Sequence, residues 1–337
     1  MINKLFINRR HQRGLSLIEL MIALTIGLIL LGALSSIYLS SRQTFRATDN
    51  LSRVQENARI AFDTMSRDIR GTAFFGCAGQ DGDLSTVLID STGVLWDFLI
   101  PIYGYEASTS SAWSTTLPTE IASPLGGRDI LVTRSIDEGG GPVVTHGVAS
   151  DDLEIPENSG LKSGDVVVAS NCAATTIFQV TSVTTSGGHD SIGHAAKSGT
   201  PGNATTDLGH LFSSGELRPV STKIYYIRNN TSGIPSLYVQ RSSAADPEEI
   251  AEGIDGMQIV YGVDTDSDYF ADSYQTAAQV EAASAWSKVI SIRVTLTAIS
   301  REDSVATAAQ SNATNTGTDR RLRKEITTTI ALRNRAG

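Results

Sequence analysis

No proline occurs before Pro101, and between Glu19 and Arg42 the chain carries no charge. The first absence permits an unbroken helix through the N-terminal part, because proline removes a backbone donor and clashes with the preceding turn. The second leaves Leu20–Ser41 as an apolar run long enough to cross a bilayer. Cysteine is scarce: Cys77 and Cys172 stand far apart, without a C-x-x-C pair, so zinc and dithiol redox motifs are excluded. Aromatic residues make up only 6% of the chain, which suits a soluble head with many small-residue loops. Basic residues are outnumbered, giving a net charge of −9, and four of them (Lys4, Arg9, Arg10, Arg13) lie ahead of Gly14. Beyond that leader the chain is more acidic still, which argues against general affinity for nucleic acid. The local basic run Arg320, Arg321, Arg323 and Lys324 reads as a solvated strand edge. Catalytic signatures are missing too: there is no G-x-S-x-G, P-loop, H-E-x-x-H or glycine fingerprint. Ser159–Lys162 matches S-x-x-K without its companion motifs, and Gly139–Pro142 lacks the lysine and helix of a phosphate cradle. The expectation is a protein that is not an enzyme.

The N-terminus carries the most information. A cationic leader ends at Gly14, an apolar run begins Leu15-Ser16-Leu17-Ile18, and Glu19 comes next, inside its near edge. A carboxylate in such a run is expensive in lipid and therefore points to function. A secretory signal peptide has the same basic start, and Ala33-Leu34-Ser35 would serve as its cleavage site. Its apolar core is normally shorter than this one, however, and does not carry an acid. A plain uncleaved anchor leaves Glu19 unexplained.

Beyond the apolar run, Leu51, Val54, Ala58, Ala61, Phe62, Met65 and Ile69 recur at spacings of three and four, one face of a helix. Gly71 after Arg70 is a stop signal. An unbroken helix from Leu15 to Arg70 would be a rod of roughly 84 Å. The chain thus divides into four segments: a cationic leader over 1–14, an apolar membrane helix over 15–41, an amphipathic helix over 42–71, and a β-rich head over 72–337. In the head, β-branched alternation predicts strands at Asp129–Arg134, Asp165–Ser170, Ile177–Val183, Lys223–Arg228, Leu237–Arg241, Met257–Tyr261, Val289–Thr297 and Lys324–Leu332. Asn229–Gly233 reads as a hairpin connection and Ala277–Ala285 as a short helix. One helix packed on one antiparallel sheet, an α+β head, is the simplest architecture. Ser182–Ser214 and Asp303–Asp319 read as surface loops from their Gly, Ser and Thr content. The first holds His189, His194 and His210, whose spacing fits no common zinc pattern, so they are expected to be solvated.

In an oxidising compartment Cys77 and Cys172 would form a disulfide closing a loop of about 95 residues, worth ~4–5 kcal/mol in the chain-entropy picture. Two buried thiols are the alternative. Asp264, Asp266, Asp268, Phe270 (through its carbonyl) and Asp272 have the order of a calcium loop. Tyr269 stands where such a loop has glycine, and Gln275 where it has a bidentate glutamate. The expectation is weak calcium binding, in the ~10⁻⁴–10⁻³ M range of extracellular modules, or simply an acidic turn. No cofactor is required.

Arg13-Gly14-Leu15-Ser16-Leu17-Ile18-Glu19-Leu20-Met21 resembles the class III leader junction of type IV prepilins and type II secretion pseudopilins. The resemblance implies that a membrane prepilin peptidase cuts after Gly14 and methylates Leu15, here leucine in place of the usual aromatic. Glu19 would then neutralise the new amine of a neighbouring subunit in a filament. Arg67–Gly71 running into Phe74–Gly79, Ser170–Cys172 with Ile177–Thr181, Ile259–Gly262, Trp286–Val289 and the basic C-terminal strand resemble PilW-type minor pilins. That family implies a pilin-like fold and a non-catalytic place in a complex that primes type IV pilus assembly and caps the tip. Its partners would be other minor pilins, the major pilin and a large tip adhesin. Before assembly the stem would lie in the inner membrane with a periplasmic head. The J-type pseudopilin of type II secretion, and an envelope adhesin anchored in the membrane without polymerising, are the alternatives.

Overall fold

A computed structural model describes residues 16–77, 83–108, 112–303, 305–306 and 319–335. Helix α1 is Leu17–Gly71. The strands after it are β1 (Asp83–Thr86), β2 (Ile102–Tyr105), β3 (Ile130–Ile136), β4 (Gly141–Pro142), β5 (Leu153–Pro156) and β6 (Val166–Ser170). Next come β7 (Ala174–Gln179), β8 (Ser182–Ser186), β9 (His189–Gly193), β10 (Glu216–Asn229), β11 (Pro235–Arg241) and β12 (Glu248–Glu252). The chain then forms β13 (Ile254–Val263), β14 (Ser273–Gln275), the short helix α2 (Ala277–Ala282), β15 (Val289–Ile299) and β16 (Arg323–Ala331). It divides into two compact units, one ending at Asn50 and one beginning at Leu51.

The class is α+β, a long N-terminal apolar helix and a β-rich head, but the head holds three sheets where the simplest reading expected one. A nine-stranded sheet runs β1-β7-β6-β10-β11-β12, with β2, β3 and β4 joined to it. A four-stranded sheet runs β14-β13-β15-β16, and a three-stranded sheet β5-β9-β8. Pairing is antiparallel except between β1 and β7. The expected strand Ile177–Val183 is divided between β7 and β8, because Val180 donates to Asp165 and Thr181 to Gly193, turning the chain from one sheet to another. Part of the expected loop Ser182–Ser214 is the β8–β9 hairpin, closed by Gly187 and Gly188 and paired through β9 to β5. The β10–β11 connection is the hairpin expected: Asn230 Oδ1 accepts from the backbone of Ser232 and Ile234.

Within the head unit, the apolar face of α1 supplies Val54, Ala58, Ala61, Phe62, Met65 and Ile69 to the largest core cluster. They meet Tyr225 and Ile227 of β10, Leu237 and Val239 of β11, Met257 and Ile259 of β13, and Ile292 and Val294 of β15. Each fully buried side chain of this size stabilises by roughly 1.5–3 kcal/mol. A second cluster, with Leu153, Ile155, Val167, Phe178, Ile192, Phe212 and Leu217, joins the three-stranded sheet to β6 and β7.

Polar contacts fix where α1 seats. Asp68 on α1 accepts from Lys223 Nζ at 3.0 Å and from the Tyr225 hydroxyl, both on β10. Lys223 also reaches Asp137 at 3.3 Å. Burial, and then the Asp68 charge, push the Tyr225 hydroxyl well above the usual phenol range, so it stays a donor. Past the helix the chain turns through Gly76, at φ +111°, where a side-chain carbon would collide with Ser170. This close approach places Cys77 against Cys172, and the two form a disulfide with Cα atoms 4.8 Å apart.

Replacing Asp68 by alanine strands the buried Tyr225 hydroxyl and leaves the Lys223 ammonium only its longer contact to Asp137. It is expected to destabilise the head by about 3 kcal/mol, read from the denaturant midpoint of the full chain in detergent. Adding Lys223→Met should recover part of that loss.

Candidate functional site

The first helical unit presents a surface rather than a pocket. Leu17, Ile18, Leu28, Ile29, Leu31 and Ile37 all keep more than 60% of their area exposed. Apolar side chains exposed in series along a helix require lipid or protein as their surroundings. The threonine hydroxyls in this unit bond back to their own helix: Thr25 donates to the Ile22 carbonyl at 2.9 Å, Thr44 to the Ser40 carbonyl at 3.0 Å and Thr48 to the Thr44 carbonyl at 2.9 Å. Such back-bonding lets polar side chains sit in a medium without water.

Ser16 is a residue that the reading of the sequence passed over. Its Oγ accepts from the Glu19 backbone at 3.2 Å and its carbonyl from Leu20, so it caps α1. The S-x-x-E pattern of Ser16–Glu19 was the available signal. Glu19 thus lies in the first turn, where the helix dipole favours a negative charge. Its side chain is exposed. Gly14 and Leu15, the expected processing residues, lie outside the described residues.

Asp264, Asp266 and Asp268 bring one carboxylate oxygen each within 4.8 Å of one another on the loop between β13 and β14. Asp264 is buried, accepting from Ser267 at 2.7 Å and Tyr269 at 2.9 Å. Tyr269 takes φ +68°, the left-handed conformation that glycine usually supplies in a calcium loop. Asp272 is not in the group of three: its Oδ2 accepts from Thr265 N and Oγ1, which holds its carboxyl below the usual range. The Phe270 amide donates to Asp268, and its ring is exposed. Gln275 is part of β14, opposite Tyr261. Desolvation first, then the negative charges of Asp268, Asp272 and Asp264, raise the Asp266 carboxyl. An all-oxygen carboxylate set of this kind suits a hard cation and not zinc.

The S-x-x-K serine is committed elsewhere, since Ser159 Oγ donates to Asp190 Oδ2 at 2.7 Å. In the basic run, Arg321 and Arg323 pair with Asp319.

The histidines correct an expectation. His210 is exposed, but His194 is buried, beside Phe178 at 5.2 Å and edge-on to His146 at 6.4 Å. The reason is long-range: His194 closes β9, and β9 is covered through its pairing to β5. Its Nε2 donates to the Asp151 carbonyl at 2.7 Å, and its Nδ1 is buried with no hydrogen-bond partner among the described residues. His146 Nδ1 accepts from Phe212 N at 3.0 Å, so in the neutral ring its proton sits on Nε2, also buried and without a partner among the described residues. Burial first, and then His194, hold His146 below the ordinary imidazole range against the pull of Asp151. The folded state therefore binds fewer protons than the unfolded chain just below the ordinary imidazole range. The resulting stability is present above about pH 6.5 and lost as pH falls through it. Asp129 works in the opposite sense: burial raises its carboxyl to about 7, so its contribution falls as pH rises from about 4 toward that value. His146→Asn keeps an acceptor for Phe212 and removes the titration. The expected outcome is a smaller drop in Tm between about pH 7 and about pH 5 than in the parent chain, read by thermal scans at both pH values.

Comparison with known proteins adds identity to this geometry. Residues 224–334 match the family described as Type IV Pilus-assembly protein W, and residues 9–35 match the Prokaryotic N-terminal methylation motif. The chain also aligns with a solved structure, the Type IV-like pilin TTHA1219 from Thermus thermophilus. Identity is 11% over 85% of this chain and 98% of that one, with a TM-score of 0.34, too distant to carry an argument. The search of curated proteins found no match. The chain therefore carries a methylation motif, the class III prepilin signal, at the start of its apolar stem, and a region similar to the pilus-assembly W family from within β10 to the last described strand.

Proposed function

We propose that the chain is a minor pilin of a priming or tip complex for type IV pilus assembly, a structural subunit without catalysis. The observation that carries the reading is the methylation motif lying over an exposed apolar helix whose first turn holds one acid, Glu19. Cleavage after Gly14 would leave Leu15 as a cationic amine next to Ser16, the cap of α1. A cation there faces the positive end of the helix dipole. In the packed core of a filament it would cost several kcal/mol without a partner. Glu19 of a neighbouring subunit supplies that partner and so fixes the axial stagger. In this proposal residues 1–14 are the leader, 15–41 the membrane and polymerisation helix, 42–71 the amphipathic helix and 72–337 the head. Other minor pilins, the major pilin and a large tip adhesin are the neighbours. The head is periplasmic, with the stem in the inner membrane, until assembly carries it to the pilus.

Mass spectrometry of the purified chain is expected to find a methylated Leu15 as its N-terminus; a chain beginning at Met1 would exclude the pilin reading. Glu19→Ala is expected to be cleaved and inserted normally but to enter filaments at a small fraction of the parental level, by immunoblot of sheared pili. Deletion should abolish surface pili and twitching, whereas loss of exoprotein release instead would assign the chain to type II secretion.

Weak calcium binding at Asp264, Asp266 and Asp268 belongs to the same proposal and is supported by their clustered oxygens. Calcium at about 10⁻³ M is expected to raise the Tm of the parent chain and not that of Asp266→Asn. Absence of both heat and thermal shift would leave the loop an acidic turn.

A further inference from the structure

An open groove of about 710 Å³ lies within the head between the last turns of α1 and strand β16, lined by Phe62, Asp63, Arg67, Arg70, Thr328 and Arg333 among others. Its acid, Asp63, is taken by Arg59 at 3.5 Å. Arg67, Arg70 and Arg333 are exposed and have no ion-pair or hydrogen-bond partner among the described residues. Arg70, in the last turn, complements the helix dipole, but that does not account for Arg67 or for Arg333, which arrives from far along the chain. Three unpaired guanidiniums meeting in one groove are out of character for a chain of net charge −9.

The strand beside the groove is also incomplete. β16 pairs with β15 on one side and, among the described residues, has no strand on the other. Leu332 N donates to Ile290 O, so the alternation of an antiparallel ladder turns the amides and carbonyls of Glu325, Thr327, Thr329 and Ala331 outward. Thr328 faces the groove and Ile330 the core, while Thr327 and Thr329 bond to Thr295 and Arg293 on the other face. An added strand would present every second side chain to the arginines.

We infer that the β16 edge is a docking site for an extended acidic segment of another polypeptide, which joins the sheet as a further strand and directs carboxylates at alternate positions to Arg67, Arg70 and Arg333. Backbone pairing would supply affinity, and the guanidinium row would supply register and sign selectivity. The inference does not depend on the pilus reading, because binding by the chain in detergent is measured whatever its N-terminus.

The test uses the full chain in detergent micelles and synthetic peptides alternating glutamate with threonine or lysine with threonine, read by fluorescence anisotropy. The glutamate peptide is expected to bind and the lysine peptide not to. Arg67→Gln combined with Arg333→Gln should weaken binding about tenfold, the scale of losing two partly exposed charge pairs. Thr329→Pro removes an outward amide without breaking the β15 ladder and should weaken binding similarly, with Tm showing that each variant is folded. Methylation of alternate peptide amides should have the same effect. Equal binding of both peptides, no binding of either, or affinity unchanged in the variants would overturn the inference. So would self-association of the chain that the glutamate peptide displaces, because the occupant would then be a second copy.

Discussion

The head is organised around one carboxylate. Asp68 is bonded at once to an ammonium and a phenol that lie two residues apart on β10, and so fixes how α1 seats against that strand. β10 is the longest strand and pairs along its length with β3, β4, β6 and β11. A helix registered to β10 is registered to most of the nine-stranded sheet. Burying an ion pair yields little net stability, since desolvation opposes the attraction, but an alternative seating of the helix would leave charges unpaired. The apolar face from Val54 to Ile69 provides the attraction, and Asp68 selects one position among those that face alone would accept.

Two rules of burial operate in one chain. In the head, polar groups inside the core find partners across long sequence distances, as Arg128 does with Asp255 at 2.8 Å. In the first unit, polar side chains find theirs within one turn, because a helix intended for lipid or for the middle of a bundle has no other source. The sequence shows the difference as a run without charge, and the structure as hydroxyls folded back onto their own helix.

The local features were legible and the distant ones were not. The period of α1, the principal strands, the β10–β11 hairpin and α2 come from spacing and turn residues, which need no knowledge of neighbours. The break at Val180–Thr181 could not be read, because Ile177–Val183 alternates well enough to be one strand and only its partners, β6 on one side and β9 on the other, divide it. β8 and β9 are rich in Ser, Thr and Gly and resemble a loop until β5 is placed against them. His194 was read as solvated for the same reason. Asp68 was visible as a charged position on a helix, but Lys223, 155 residues away, was not visible as its partner. Of the carboxylates in the aspartate loop, spacing found three that converge and one that turns to Thr265. Ser16 needed no structure; its pattern with Glu19 was already in the sequence.

The link between Cys77 and Cys172 has a mechanical consequence. Any chain drawn from its two ends is loaded along its length, and a covalent shortcut determines how much of it can pay out. The bond encloses a separation of 95 residues, which fully drawn out would add roughly 320 Å of contour. While it is closed, traction entering at the end of α1 passes through sulfur to the turn after β6, and β1 to β6 cannot be unravelled in series. The oxidised head is therefore much less extensible than the reduced one, whatever their difference in equilibrium stability.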